Sequence, residues 1–303
     1  MLLLAIDERV TGMSENKVHQ SWDRVDGILV INLDNFPERM QAFISENEGR
    51  IPAEKVHRLV AVDGRKLTGY GEPPWFMPRT MERAHFWGGT AGCVLSHRRA
   101  IERAKMEGWR NVLVLEDDVR VLDEQGALRI MQYALDNLQG KYMLYLGYSR
   151  PTPYGRKIYT EGSHSLWKTE GVLAGYGYLV PQSMYDVILS MMPTEESIWE
   201  WLSIYRAVDS FYRDNVAALP GVSIYMVQPD LIEHVDGISS IAATYTSTER
   251  FSKTQQPYSY ASLSGVLHLL TYPLRRLKIY LNSIRTHRRA LRGGFPGHRK
   301  KKK

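Results

Sequence analysis

Short runs of branched apolar residues, each closed by a turn-forming or acidic residue, alternate with stretches of helical periodicity. Gly27 to Leu33 (Gly-Ile-Leu-Val-Ile-Asn-Leu) is short, branched and continuous, the pattern of a buried strand. Asp34-Asn35-Phe36-Pro37 follows, and Pro37 suits the first turn of a helix. Val56 to Val62 predicts a second strand, closed by Asp63-Gly64. Gly and Pro crowd residues 67–80 around Trp75, which predicts a loop. From Ala91 to Glu107, Cys93, Val94, His97, Ala100, Ile101 and Ala104 recur at steps of three and four, one face of a helix. Asn111 to Leu115 predicts a third strand, residues 123–138 a helix, and Tyr142 to Leu146 a fourth strand. Further on, Gly171 to Val180 reads as a glycine-rich strand and Pro181 to Met192 as a helix. Glu200 to Val216 predicts another helix and Val222 to Val227 a late strand. Strands alternating with helices predict an α/β fold whose sheet is mainly parallel and flanked by helices.

Charge divides the chain. Residues 250–303 hold 14 of the 39 Lys and Arg side chains and none of the 33 acids, so they carry +14 while residues 1–249 carry −8. The basic character therefore belongs to the tail. Three parts are expected: a polar lead-in over 1–26, a main domain over 27–250, and a basic amphipathic tail over 251–303. In the tail, Leu274, Leu277, Leu281 and Ile284 recur at helical steps among Arg275, Arg276, Lys278, Arg285, Arg289 and Arg292. Gly293-Gly294 would end that helix. A basic amphipathic helix suits an anionic membrane surface. A nucleic-acid tail, a subunit contact and partial disorder stay open, but an apolar stripe serves a bilayer and not a phosphate backbone. Cys93 is the single cysteine, which excludes a disulfide framework and points to a reducing, cytoplasmic compartment. The lead-in starts apolar but soon meets Asp7 and Glu8. It is expected to be neither a signal peptide nor a spanning helix.

The third strand ends in Glu116-Asp117-Asp118. Crowded like charges need a compensator, and hard divalent cations take carboxylate oxygens. In open α/β sheets, ligands bind beyond the carboxyl ends of strands. If the backbone stays extended, Glu116 and Asp118 project together and Asp117 opposes them. Two carboxylates on one side would hold a metal that also grips a diphosphate. The plain alternative is a solvated turn with one acid capping the next helix.

Four ordered segments carry a likeness. They are Ile31-Asn32-Leu33-Asp34 with Pro37-Glu38-Arg39, then Ala61-Val62-Asp63-Gly64, then Gly92-Cys93-Val94-Leu95-Ser96-His97, then Val114-Leu115-Glu116-Asp117-Asp118. Looser matches follow at Gly175 to Val180, at Val208-Asp209, and from Gln228-Pro229 to Ser239-Ser240-Ile241. Together they resemble family 25 of the glycosyltransferases, which includes bacterial lipooligosaccharide sugar transferases and collagen galactosyltransferases. The resemblance covers roughly residues 27–240. It implies a GT-A-like fold, a UDP-sugar donor (galactose first), a hydroxyl acceptor on a growing cell-surface glycan or lipid-linked oligosaccharide, inversion at the anomeric carbon, and Mn²⁺ or Mg²⁺.

Under that resemblance, Asn32, Arg39, Asp63, Ser96, His97, Glu116 and Asp117 are donor-site candidates. Asp118, Glu116 and His234 are metal-ligand candidates, and Asp209 is the candidate base, with Asp214 and Glu170 as substitutes. Each has a plainer reading. Arg39 would pair with a surface acid, Asp63 would close its Asp-Gly turn, and His97 would be a core histidine beside a packed Cys93. His234 would belong to a surface loop and Asp209 to a helix surface. Trp167, Trp199 and Trp201 would stack on acceptor sugars or fill the core. A non-catalytic glycan- or membrane-binding relative of the same fold is the alternative function.

Overall fold

The computed structural model describes residues 22–122, 125–238, 241, 245–246 and 257–296. Most of the lead-in, the Ser239-Ser240 pair and the basic end from residue 297 lie outside the described residues.

Strand β1 (Gly27–Asn32) lies between β2 (Val56–Val60) and β3 (Asn111–Glu116), parallel to both. Its side chains alternate between two cores. Leu29 enters one with Val112 and Val114, while Ile28 and Val30 enter the other with Leu113 and Leu115. Burial on both faces explains the unbroken apolar runs. Helix α1 (Pro37–Glu46) follows β1 and buries Phe43 in the second core. Helix α2 (Ala84–Met106) covers the first core with Trp87, Ala91, Val94, Ala100 and Ala104. It begins seven residues before the predicted Ala91. Gly88 and Gly89 lie in this earlier part, where the missing side chains leave room for Arg65 and Tyr70 at Gly88 and for the Ile241 backbone at Gly89.

The short strand β4 (Val119–Val121) follows β3, and helix α3 (Gln125–Asn137) packs Leu128, Ile130, Met131 and Leu135 on the second core. The central sheet continues through β5 (Lys141–Pro151), β6 (Tyr154–Glu161), β7 (His164–Thr169), β8 (Val172–Pro181) and β9 (Val222–Gln228). The β6–β7 hairpin carries no apolar run, and its signal is a turn at Gly162-Ser163 with Gly162 at φ 56°. With β11 (Tyr258–Ser259) the nine-stranded order is β11-β6-β7-β9-β5-β8-β3-β1-β2. Only β8 and β7 run against the rest, so the protein is a mixed α/β fold with a large, mainly parallel sheet.

After β8 come α4 (Tyr185–Met191), α5 (Ile198–Tyr205) and α6 (Val208–Phe211), the last running into a π-helical turn over Tyr212–Val216. The single helix predicted over Glu200 to Val216 is thus broken at Arg206, which sits at φ 72°. Strand β10 (Ile232–His234) pairs antiparallel with β4 and sets His234 opposite Val119.

The C-terminal helices α7 (Leu263–Leu270) and α8 (Tyr272–Gly293) pack on the main body. Glu170 accepts from Arg275 and pairs with His268, and the Ser203 hydroxyl bonds His287 at 2.7 Å. Past the helix end, Phe295 is buried and stacks on Trp87 at 4.5 Å. Among the described residues, no helix is long and apolar enough to cross a membrane.

Candidate active site

The carboxyl ends of β1, β2 and β3 open onto one cleft of about 640 Å³. Phe36, Arg39, Asp63, Arg65, Asp117 and Asp118 are among its lining residues. A narrower recess shares this wall and runs inward past Gly92, Cys93, His97 and Glu116.

Regular strand geometry stops at Glu116, and Asp117 and Asp118 already turn. The expected alternation therefore fails. Asp117 and Asp118 share a partner, while Glu116 faces elsewhere. Arg39, from the first turn of α1, donates through Nη2 to Asp117 Oδ1 and, at 2.7 Å, to Asp118 Oδ2. Asn32, buried at the end of β1, donates to Asp117 Oδ2 at 2.6 Å and to the Phe36 carbonyl at 2.9 Å. His234 Nε2 lies 3.3 Å from Asp118 Oδ2, an approach set by the β4–β10 pairing. Arg39 is thus brought into the site, paired with the acid triplet and not with Glu38.

The acids differ electrostatically. Burial, then the charges of Asp118 and Asp117, raise the Glu116 pKa. Burial also raises that of Asp117, against the opposing pull of Arg39 and Asn32. Burial works against the Asp118 carboxylate too. There, the hydrogen bond and charge of His234, with Arg39, outweigh it and hold its pKa below the usual value. One oxygen is left over: Asp118 Oδ1 is buried without a hydrogen-bond partner among the described residues. An orphaned carboxylate oxygen is costly to bury and marks a place for a ligand. His97 is buried, bonds the Tyr178 hydroxyl at 2.7 Å through Nδ1, and turns Nε2 to within 3.9 Å of Glu116. Burial pushes its pKa down to about 4, so it is neutral at pH 7.

Other candidates have structural partners. The Ser96 hydroxyl donates to the Gly92 carbonyl and accepts from Val62 N–H, tying α2 to the end of β2. Asp63 faces the cleft but caps its own turn, accepting from Arg65 N–H at 3.2 Å and Arg65 Nε at 2.9 Å. Arg65 reaches on to His85 at 3.0 Å. Arg65 and His85 both line the cleft and lay outside the sequence candidates. Only the nearness of Arg65 to Asp63-Gly64 signalled it. Asp209 does not line this cleft. It accepts from Ala174 N–H at 3.0 Å and Ser210 N–H at 2.6 Å, beside a separate groove. Its charge still acts on Glu116. Of the substitutes, Glu170 is bound by Arg275 and Asp214 by Arg213. Trp167, Trp199 and Trp201 are all buried. The Trp199 and Trp201 indoles donate to the Thr68 and Met191 carbonyls, so these rings fill core and do not present a sugar-stacking face.

Behind His234, Tyr176 donates to Asp230 at 2.9 Å and packs its ring against the imidazole at 5.8 Å. Burial pushes the Asp230 carboxyl up to about 6 from 3.8. A raised carboxyl favours the fold below its unfolded pKa, and that contribution is lost as pH rises through about 6. Asp230→Asn is therefore expected to stabilise the protein at pH 8, by up to about 3 kcal/mol, with the gain fading near pH 4. Urea midpoints at the two pH values check this.

No family model matches the chain. The chain is 30% identical over 195 residues to a glycosyltransferase 25 family member of Aedes aegypti, covering 57% of this chain and 29% of that protein. It is 31% identical over 169 residues to a rat protein named probable inactive glycosyltransferase 25 family member 3, covering 50% of this chain and 27% of that protein. Over about half of its length, the chain is homologous to glycosyltransferase 25 family members. It spans about a quarter of the length of the relatives it matches. The glycosyltransferase 25 relatives divide by name. Those of Aedes and Drosophila pseudoobscura are named as members, and those of rat and mouse as inactive or probably inactive ones. Among solved structures, the chain is similar to a mannose-1-phosphate geranyltransferase of Thermus thermophilus at 15% identity and a TM-score of 0.36, over 67% of this chain and 74% of that one. That likeness is too slight to bear on function.

Proposed function

We propose that this chain is a GT-A-like glycosyltransferase. It would move a hexose, galactose first, from a UDP-sugar to a hydroxyl of a growing cell-surface glycan or lipid-linked oligosaccharide, with inversion. The observation that carries this is Asp118 Oδ1, buried and without a hydrogen-bond partner among the described residues, in a cleft at the carboxyl ends of parallel strands. The homology over half the chain supports it.

Among the described residues, no group of three or more His, Cys, Asp or Glu forms a metal cage. A hard cation that also binds a diphosphate needs only one or two carboxylates from the protein. Asp118 and His234 fit such a set, with Glu116 nearby. A bound Mn²⁺ or Mg²⁺ would neutralise charge on the departing diphosphate. Arg39 holds the aspartates and is placed to donate to phosphate oxygens by its planar fork. Asn32 fixes Asp117 behind it. Asp63 and Arg65 face the same cleft and would meet the nucleoside. Asp209 would take the acceptor's hydroxyl proton as the new glycosidic bond forms.

The setting would be the cytoplasmic face of a membrane. On α7 and α8, Leu263, Leu267, Leu270, Leu274, Leu277 and Leu281 are exposed at alternating steps of four and three, among basic residues. That pattern suits an anionic bilayer surface.

A second reading, a non-catalytic relative, has one specific support. Arg39 already bridges the two aspartates, and some relatives are named inactive. Purified chain incubated with Mn²⁺ and a panel of UDP-sugars separates the two. The proposal expects hydrolysis of at least one donor above the rate without enzyme. No hydrolysis, with no calorimetric binding of UDP, would favour the second reading.

A further inference from the structure

Helix α8 leaves a second groove, about 1030 Å³, between itself and the α5–α6 region of the body. Asp209 lines it, and its charge acts on Glu116. Basic residues outnumber acids in its walls, with Arg83, Arg206, Arg213, Arg276 and Arg285 set against Asp209 and Asp214. Arg213 is bound to Asp214 through two 2.7 Å hydrogen bonds, and Arg276 donates to the Asp214 carbonyl. Both Asp209 oxygens accept backbone N–H groups. Arg83, Arg206 and Arg285 remain, and none of them has a carboxylate partner among the described residues. Nothing on α8 could supply one, because residues 250–303 contain no acid.

The arrangement looks unfinished. Arg83 lies over the Phe86 ring at 4.4 Å, close enough to Arg206 that burial and then the Arg206 charge push its pKa down. Like charges held near one another without a counter-ion are unfavourable. Arg206 also holds φ 72°, a left-handed conformation uncommon outside glycine. Trp87, another lining residue, keeps its indole N–H buried without an acceptor among the described residues. Guanidinium forks match the paired oxygens of phosphate and carboxylate. Aromatic Phe86, Tyr205 and Tyr280 lie in the same walls.

We infer that this groove is the acceptor subsite and that it selects a saccharide carrying an oxyanion, a phosphate ester or a carboxylate. The inference rests on the glycosyl-transfer reading, because it makes Asp209 the inner end of the groove. The anion would sit between Arg206 and Arg285, and the sugar would reach inward toward Asp209.

Calorimetry on the full chain tests it with glucose 6-phosphate, glucuronate, glucose and inorganic phosphate. The expected result is binding of glucose 6-phosphate or glucuronate at least tenfold tighter than glucose and than inorganic phosphate. Whichever of the two binds tighter tells a phosphorylated acceptor from an acidic one. In the double variant R206Q/R285Q, whose two side chains are solvent-exposed, the anionic sugars should bind at least tenfold more weakly. An unchanged melting temperature would show that the variant folds. Equal affinity for glucose, equal affinity for inorganic phosphate, full affinity in the double variant, or displacement by UDP would each overturn the inference. UDP with Mn²⁺ is titrated separately, so a missing donor site and a missing acceptor groove give different results.

Discussion

Asp118→Asn is expected to lower metal-dependent donor hydrolysis by roughly a hundredfold or more while leaving the protein folded. The substitution keeps the side chain's shape and removes its charge. Asp118 sits in the turn after β3 and packs in neither core, so little apolar burial is at stake. Arg39 retains Asp117, and Asn32 continues to brace that pair. What disappears is the carboxylate whose Oδ1 has no hydrogen-bond partner among the described residues and whose Oδ2 meets His234 and Arg39. The contrast is Asp117→Asn. There the buried Asn32 and the half-buried Arg39 are left with one amide oxygen in place of two carboxylate oxygens, so stability should fall along with activity. Hydrolysis rates and denaturant midpoints for both variants separate a ligand-holding acid from a bracing one.

Gly92→Ala is expected to destabilise the protein by about 1–3 kcal/mol or more and to weaken UDP binding with it. A Cβ at this position would lie 2.2 Å from the Val62 carbonyl oxygen and 2.9 Å from Gly64 N. Those are backbone atoms, so no flexible side chain can yield. Helix α2 would have to move off the end of β2, straining the Ser96 bridge to Val62 and widening the recess that continues the cleft. Gly126→Ala is the control. It lies in α3 with its nearest neighbour at 3.7 Å, so alanine there should be neutral or slightly stabilising. Urea midpoints and UDP titrations of the two variants give the comparison.

β1 and β3 were readable because burial on both faces makes them continuously apolar, and the acids after β3 mark where the strand stops. Edge strand β2 buries only Leu59, and its closing Asp63-Gly64 marked its end. The β6–β7 hairpin was not readable, since much of β6 is solvent-facing and β7 opens with buried polar His164 and Ser165. The first seven residues of α2 were missed, a stretch in which Gly88 and Gly89 serve close approach. In the site, the residue pattern pointed to the acid triplet and the family resemblance pointed to Arg39. Their pairing was not legible, because strand alternation ends at Glu116, two residues before the motif does. The approach of His234 to Asp118 depends on a strand pairing more than a hundred residues apart in sequence, which local pattern does not encode. Asp209 followed from resemblance alone, and its place beside a different groove is a tertiary fact.

A crystal structure grown with UDP and Mn²⁺ bears most directly on whether Asp118 anchors the donor. The expected map has diphosphate density in the cleft, an anomalous manganese peak beside Asp118 Oδ1, and Arg39 turned from the aspartates toward phosphate oxygens. A cleft without density, in which Arg39 still bridges Asp117 and Asp118, would contradict it.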